Sequence, residues 1–330
     1  MAISSRKQIR DHAMSITDTE GSIVEDLVNA FINDTIREIG EPGWAYAPRK
    51  ERHHLWTWLR KHEEFDTVAA QADYVLDREV DKIAGIKFDN KSALSEVNTD
   101  EFMMIADPTL AGTPRVYLQW SMSGVSTKLA TADTIDVVSD SASDAGDADL
   151  SVTVWGYSSG ILRSETYALT GATPVTGSIT FDADDIYVSK GKNTTGSITV
   201  TENSGSTTLV KLGPTESNPI FKVIKLHRVP NAALNGDIYY YTRIRELEND
   251  SDVPQFDHKW HHVVTKGVVA KIFQHLGKES EKNSAIAFYR SNVRSMIESD
   301  QAGPNRIPDL KRHLPKNRFP IVRRTTDAIS

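Results

Sequence analysis

A pentapeptide at 156–160, Gly-Tyr-Ser-Ser-Gly, matches the G-x-S-x-G pattern of serine esterases. In those enzymes a strand turns sharply into a helix, and the turn exposes the nucleophilic hydroxyl. Here the pentapeptide lies between two stretches in which apolar and polar residues alternate, a pattern typical of β-strands. Ser-Ser-Gly is also common in tight turns, so we expect a hairpin at this position rather than a nucleophile.

The histidines are a second group that could carry chemistry. His258 and His262 are spaced i, i+4 on a predicted helix with His261 between them, and His53 adjoins His54. A zinc site needs a third ligand and a dry surrounding shell. No His-Glu-x-x-His sequence is present, and two lysines share the segment. We therefore expect structural or solvent-exposed histidines and no metal.

Four aspartates are candidates for calcium binding, namely Asp140, Asp144, Asp147 and Asp149. Their spacing does not fit the loop of an EF-hand, in which ligands alternate along the chain and a glutamate closes the loop. We expect these residues to form a solvated acidic loop.

Other signatures of catalysis are missing from the sequence. The chain has no cysteine, which excludes thiolate metal sites, iron–sulfur clusters and a cysteine nucleophile. Neither a P-loop nor a dinucleotide-binding fingerprint is present. A glycan hydrolase with paired carboxylates is a rival hypothesis, but no such pair sits in a recognisable aromatic-lined sugar site. We expect no enzymatic activity, no catalytic residue and no cofactor.

Length and hydropathy limit the possible classes of protein. The chain has 330 residues and a formal net charge of −7, and its length predicts two or three domains. No apolar stretch is long enough to cross a bilayer. The first twenty residues lack the apolar core of a secretory signal. These features predict a protein that is made in the cytoplasm and has no membrane partner.

The net charge is concentrated in one block. Residues 121–220 hold twelve acidic and five basic residues, whereas the rest of the chain holds 33 of each. The block also shows alternating apolar residues, with turn-forming residues between the runs, as in a small antiparallel sandwich. The sharp change in composition at both ends predicts a domain inserted into another domain.

Helical periodicity lies on both sides of this block. Apolar residues recur every three or four positions over 22–39, 257–276 and 280–299. Ser22 and Glu25 fit a capping box for the first of these helices. Residues before position 21 are polar, and we expect them to form a loose arm.

The last thirty residues, 301–330, have a composition of their own. They hold four prolines and seven basic residues against two acidic ones, and they cannot build a core. Contact with nucleic-acid phosphates, docking onto a protein groove and an idle tail all stay open. The prolines and the apolar residues between the charges favour the protein groove.

Seven short motifs follow one another outside the acidic block. They are Trp56-Thr57-Trp58 with Phe65-Asp66-Thr67 and Gln71-Ala72-Asp73-Tyr74, then Lys82-Ile83-Ala84-Gly85-Ile86, Leu94-Ser95-Glu96-Val97 with Glu101-Phe102, Gly112-Thr113-Pro114, Ile224-Lys225-Leu226, Gly236-Asp237-Ile238, and Asn249-Asp250-Ser251-Asp252-Val253-Pro254. In these motifs and their order the chain resembles the head–tail adaptor and tail-tubular proteins of tailed phages. It departs from them at Ala70 and Asp77, where the family usually has Gly and Pro, and in the hundred-residue insertion.

The resemblance implies an α+β fold. In this fold a helical-bundle adaptor domain with a small antiparallel β part is interrupted by an all-β sandwich, which itself resembles immunoglobulin-like modules of phage structural proteins. The implied boundaries are 1–120 for the first part of the adaptor, 121–220 for the inserted sandwich, 221–300 for the second part, and 301–330 for an extended basic tail.

The resemblance also implies a structural virion protein of the phage neck. In this family a ring, twelvefold, joins the portal protein to the tail or a tail-completion protein. Genomic double-stranded DNA passes through the ring without sequence-specific binding. The alternative is another structural part of the phage, such as a tail terminator or a baseplate or adhesion component; a carbohydrate-binding surface module is a further possibility.

Two sets of site residues follow from the resemblance. Tail residues that we expect to dock onto the portal are Arg312, Lys316, Arg318, Phe319, Ile321, Arg323 and Arg324. Helix residues that we expect in the ring interface or in the core are Leu27, Phe31, Trp260, Val264, Tyr289 and Val293.

Overall fold

The computed structural model describes residues 5–21, 23–41, 54–88, 93–105, 107, 109–147, 149–205 and 207–302. Five α-helices lie within these ranges: α1 (Arg6–Thr17), α2 (Glu25–Gly40), α3 (Thr99–Met103), α4 (His261–His275) and α5 (Glu279–Ala302). The same ranges hold fourteen strands: β1 (Arg60–Glu64), β2 (Asp73–Val75), β3 (Val80–Phe88), β4 (Ser95–Glu96), β5 (Val116–Ser123), β6 (Ile135–Ser139), β7 (Ser151–Ser158), β8 (Ile161–Ala168), β9 (Val175–Thr176), β10 (Tyr187–Lys190), β11 (Ile198–Glu202), β12 (Thr208–Leu212), β13 (Phe221–His227) and β14 (Gly236–Thr242).

Sheet dominates this fold, so the expectation of a helical-bundle adaptor with an inserted immunoglobulin-like domain is wrong. The described residues form four sheets of fourteen strands, against five α-helices. Seven strands, β1 to β5 with β13 and β14, make two sheets around a core of their own, which is far more than a small β part. Apolar periodicity misses such strands when they carry few apolar residues. The strand β1, for example, reads Arg-Lys-His-Glu-Glu.

The chain divides into two compact units. The first unit comprises residues 1–59 and 244–330, and the second comprises residues 60–243. The domain boundaries expected after residues 120, 220 and 300 stay predictions. Among the described residues, no helix combines the length and the apolar character that spanning a membrane requires.

The first unit is built around α4, which contacts α1, α2 and α5. Nine of its fifteen residues are buried, so α4 is the core helix of this unit. Gly267 allows α2 to approach closely, because a Cβ atom at this position would lie 2.4 Å from Cγ2 of Thr35.

The N-terminal segment is a helix, so the expectation of a loose arm is wrong. Ser5 and Gln8 form a capping box at the start of α1, and Ile9, Ala13 and Met14 are buried along one side. The pattern is hard to find because Arg10 occupies another buried position, where its guanidinium pairs with Asp250.

Helix α2 begins later than the capping box predicts. Its first residue is Glu25, and Val24 occupies the N-cap position without a side-chain hydrogen bond. Glu25 and Asp26 instead place negative charge in the first turn, where the helix dipole favours it. Ser22 lies outside the described residues.

The two later helices, α4 and α5, are confirmed with shifted ends. Gly277 lies between them and has a φ of +70°.

The second unit holds four sheets and two cores. The sheets β1-β14-β3 and β2-β13-β5-β4 enclose one core. The sheets β10-β7-β8 and β12-β11-β6-β9 enclose another, formed by eighteen buried residues between Val125 and Phe221. The paired strands run antiparallel except for β4 and β5, which run parallel.

Candidate functional site

A pocket of about 280 Å³ opens in the first unit. Three segments that are far apart in the sequence line it, within residues 56–58, 256–260 and 296–300. The first belongs to a single helical turn, Thr57–Leu59, and the residue before it. The second includes a turn that leads into α4, and the third is the C-terminal end of α5.

Four of the ten residues that line the pocket are aromatic. Trp56 is 1% exposed, and its Nε1 donates a hydrogen bond to the carbonyl of Ile39 at 2.7 Å. Trp58 lies beside it with ring centres 5.7 Å apart, and Phe256 follows at 5.4 Å from Trp58. Trp260 completes the wall. Trp58 and Trp260 are partly exposed.

Asp300 places a fixed negative charge beside these rings. Its carboxylate accepts hydrogen bonds from Nε2 of His54 at 2.8 Å, from the backbone N–H of Thr57 at 3.2 Å and from the Thr57 hydroxyl. Burial raises the pKa of Asp300, but the hydrogen bonds from His54 and Thr57 outweigh it and hold the pKa below its ordinary value. The group is therefore ionised at neutral pH.

A second carboxylate lies on the rim of the pocket. Asp257 caps the turn that precedes α4 by accepting from the backbone N–H of Lys259 at 3.1 Å. It also pairs with the ammonium group of Lys259 at 3.1 Å. These hydrogen bonds lower the pKa of Asp257. The ammonium of Lys259 lies 5.7 Å from the centre of the Trp260 ring, within the range of a cation–π contact.

This arrangement is suited to binding a cationic group. Aromatic faces next to a buried carboxylate attract a cationic group, because the ring quadrupoles and the carboxylate both favour positive charge. The lining contains no cysteine or histidine nucleophile. Over the described ranges, no group of three or more His, Asp and Glu residues is placed to hold a metal ion.

The residues predicted for the ring interface or the core fall into two groups. Val264, Tyr289 and Val293 are buried within the chain and belong to its core. Leu27, Phe31 and Trp260 are partly exposed, and only Trp260 of the six also lines the pocket. The residues predicted to dock onto the portal, Arg312, Lys316, Arg318, Phe319, Ile321, Arg323 and Arg324, lie outside the described residues.

The esterase-like pentapeptide is a hairpin, as predicted. Strands β7 and β8 pair up to Ser158 and Ile161. The two residues between them, Ser159 and Gly160, both have positive φ angles, which is typical of a tight hairpin turn. Asp182 accepts hydrogen bonds from the backbone N–H groups of both turn residues.

His54, His261 and His262 each have a structural partner. His261 is 4% exposed, and its Nε2 donates to the carbonyl of Phe256 at 2.9 Å. His262 is exposed and contacts Asn292 of α5. His54 holds Asp300, as described above, and His53 lies outside the described residues.

The acidic residues of the block 121–220 close loops, so the expectation of a solvated acidic loop is wrong for the most buried of them. Asp144 is 1% exposed and accepts from the backbone N–H groups of Thr195 and Gly196, at 2.7 and 2.9 Å. Nine of the twelve acidic side chains in this block accept such backbone bonds, namely Asp133, Asp140, Asp144, Asp147, Glu165, Asp182, Asp184, Glu202 and Glu216.

Sequence reasoning missed the aromatic pocket, although one signal was present. The pair Trp56 and Trp58 stands in a stretch dense in aromatic residues. The acidic partner Asp300 lies more than 240 residues away, and no local pattern connects the two.

Models of known protein families give no match to this chain, and a search of curated proteins gives none either.

Proposed function

We propose that this chain is a structural protein of the neck of a tailed phage. Copies of it form a ring between the portal and the tail, and the genome passes through the ring. The observation that carries the proposal is the order of the seven motifs from Trp56 to Pro254. If these motifs define a scaffold, their residues should hold the fold together, and three of them do so in ways that support the proposal.

Tyr74 is the first of these residues. Its hydroxyl lies 3.0 Å from the backbone nitrogen of Val68 and 3.0 and 3.1 Å from the carbonyls of Gln71 and Val68. It thereby closes the loop between β1 and β2. The ring is buried and packs edge-on against Phe65, with the ring centres 5.3 Å apart. A tyrosine used in this way supports a loop.

Asp250, in the last motif, links the two ends of the first unit. It accepts hydrogen bonds from both terminal nitrogens of Arg10, at 3.0 and 3.2 Å, and from Arg6 at 3.1 Å. The bonds from Arg10 and Arg6 lower the pKa of Asp250. Its neighbour Asp252 accepts from the backbone N–H groups of Glu248 and Asn249. Both carboxylates are therefore engaged in hydrogen bonds that hold the fold together.

Trp56, in the first motif, supplies the third case. Its buried indole bonds to the end of α2 and forms the floor of the aromatic pocket. The motifs thus describe positions that shape the chain, as expected for a protein that works by fitting against its neighbours.

A closed ring needs two different surfaces on each copy that meet after a fixed rotation. Leu27, Phe31 and Trp260 are partly exposed residues that can form such a surface, and Phe288 on α5 is 54% exposed.

Equal numbers of acidic and basic residues outside the block 121–220 suit a channel for DNA, because a strongly basic lining would retain the phosphates. The expected partners are the portal protein, a tail or tail-completion protein and other copies, twelve to a ring.

Loss of the protein during infection tests this function. A phage with a nonsense mutation early in the gene should make DNA-filled heads without tails, and a suppressing host should restore tailed particles. Tailed, infectious particles that contain none of the chain would contradict the proposal.

A second function, surface adhesion by a tail or baseplate component, is favoured by one observation. The outward face of the sheet β10-β7-β8 presents Tyr157, Leu162 and Tyr187, which are 49, 62 and 53% exposed, next to Trp155. Exposed apolar patches of this kind mark contact surfaces. If adhesion is the function, Tyr157→Ser with Leu162→Ser should abolish binding of the purified chain to host cells. Unchanged binding would remove this candidate.

A further inference from the structure

We propose that the aromatic pocket of the first unit binds an arginine or lysine side chain from residues 303–330 of the same chain. These residues are called the tail below. The inference goes beyond the neck function, and the protein alone is enough to test it.

Charge complementarity points to the tail as the occupant. The tail carries seven of the chain's basic residues and only two acidic ones. The pocket offers the ionised carboxylate of Asp300, whose side chain is 11% exposed, and the rim carboxylate of Asp257. Coulombic attraction is stronger at such a partly buried site than at an open surface.

The rings supply the second part of the attraction. Trp58 and Trp260 are partly exposed and line the pocket together with Asp300. Lys259 already places its ammonium near the Trp260 ring, so the rim itself shows the cation–π contact that the proposal requires. A guanidinium can stack on such a face and bond to a carboxylate at the same time.

The chain path brings the tail to the pocket. Ser299 and Asp300 line the pocket, and α5 ends at Ala302, only two residues later. The first basic residue of the tail, Arg306, is four positions further on, and four extended residues span about 13 Å. A tether this short holds the cation at an effective concentration in the millimolar range, so a weak contact is sufficient.

The size of the pocket also fits one side chain. At about 280 Å³ it lies just below the range of about 300–1,000 Å³ for sites that enclose drug-sized ligands. Under the proposed neck function, the pocket would hold the basic tail until the portal takes it. That consequence rests on the neck proposal, whereas the contact itself does not.

Nitrogen-15 NMR of the tryptophan indoles in the full chain tests the contact. The variant changes all seven basic tail residues to glutamine: Arg306, Lys311, Arg312, Lys316, Arg318, Arg323 and Arg324. The indole signals of Trp58 and Trp260 should shift between wild type and variant at every protein concentration. Those of Trp120 and Trp155, which lie in the second unit, should stay in place and serve as internal controls.

A titration identifies the ligand class. N-acetylarginine amide added to the glutamine variant should move the signals of Trp58 and Trp260 back towards their wild-type positions. Identical spectra for wild type and variant overturn the proposal. A response to a chitin oligosaccharide but not to the arginine amide overturns it as well and assigns the pocket to sugar. Because no portal is present, failure here leaves the neck function untouched, and failure of the infection experiment leaves this contact untouched.

Discussion

The two units of this chain differ in the partners that most of their buried or loop carboxylates use. In the first unit, cations and carboxylates pair across long stretches of sequence, as Arg10 does with Asp250 and Lys271 with Glu38. In the second unit, most carboxylates of the block 121–220 accept hydrogen bonds from backbone N–H groups instead. Asp133, for example, accepts hydrogen bonds from the hydroxyl and the backbone N–H of Ser204. These bonds lower the pKa of Asp133.

This difference explains the uneven charge without invoking a partner. Backbone N–H groups carry partial positive charge, so they can stabilise a carboxylate without adding a cation to the sequence. A β unit whose loops are closed by Asp and Glu therefore accumulates negative charge. The net charge of −7 over residues 121–220 follows from loop closure, and an acidic field aimed at DNA is not needed to account for it.

Replacing Asp144 by alanine should have the largest effect and is the strongest test of carboxylate loop closure. The change leaves the N–H groups of Thr195 and Gly196 and the hydroxyl of Ser139 without their acceptor. We expect the free energy of unfolding to fall by about 3 kcal/mol. Amide hydrogen exchange in β6 and β11 measures it.

Asp149→Ala is the matched control, since Asp149 is exposed in the same loop region. Its effect should stay within about 0.5 kcal/mol. Equal effects of the two substitutions would show that the buried carboxylate does not hold the second unit together.

In the first unit, tight helix packing should give the next largest effect. Gly267→Ala places a methyl group 2.4 Å from Cγ2 of Thr35 and 3.0 Å from the ring of Tyr289. Alanine normally stabilises a helix relative to glycine, but overpacking here should cost about 2 kcal/mol. Thermal unfolding checks the sign. Adding Thr35→Ser, which removes the threonine methyl group, should restore part of the lost stability. A Gly267→Ala variant that is more stable than wild type would contradict close packing of α2 on α4.

The two units should also differ in their response to mild acid. Burial lowers the pKa of His261 below its ordinary value of 6.5, although its hydrogen bond to Phe256 acts in the other direction. Below pH 6.5 the unfolded state therefore binds more protons at this site than the folded state, and stability falls as the pH falls. Above pH 6.5 the contribution of this group is constant.

Hydrogen exchange should be compared at pH 7.5 and pH 5.5, with correction for the intrinsic exchange rates. At pH 5.5, α4 should lose protection relative to β11. His261→Gln should remove most of this difference, whereas His62→Gln, an exposed histidine of β1, should not. An unchanged pH response in His261→Gln would mean that another group controls it.

The smallest effect is expected at the exposed ion pair Lys192–Asp147, whose side chains are 53 and 41% exposed at 2.8 Å. Solvent screens such pairs, so Lys192→Ala should leave the melting temperature unchanged within about 1 °C. A loss of several degrees would mean that ion pairing with cations matters in the second unit too, which would weaken the contrast between the units.

Local patterns predicted what depends on neighbours in sequence. The periodicity of α4 and α5, and the turn residues Ser159 and Gly160, act within a few positions, and those elements are present. The polar strand β1 was missed because it carries no apolar residue and its partner β14 lies about 175 residues away. Helix α1 was missed because Arg10 is buried by pairing with Asp250, 240 positions distant.

The candidate site was only partly predictable for the same reason, because its residues lie far apart in the sequence. Aromatic density marked Trp56 and Trp58, but Asp300 reaches them only through the fold. The loop-closing role of Asp144 depends on backbone N–H groups 51 and 52 positions away, which carry no signature in the sequence.

Native mass spectrometry of the purified chain, alone and mixed with the portal protein that the neck proposal requires, tests most directly whether this protein works by assembly. The neck proposal predicts a complex in which the chain and the portal protein are present in equal numbers, twelve of each. A chain that stays a single copy of 36.7 kDa in the presence of the assembled portal would contradict it.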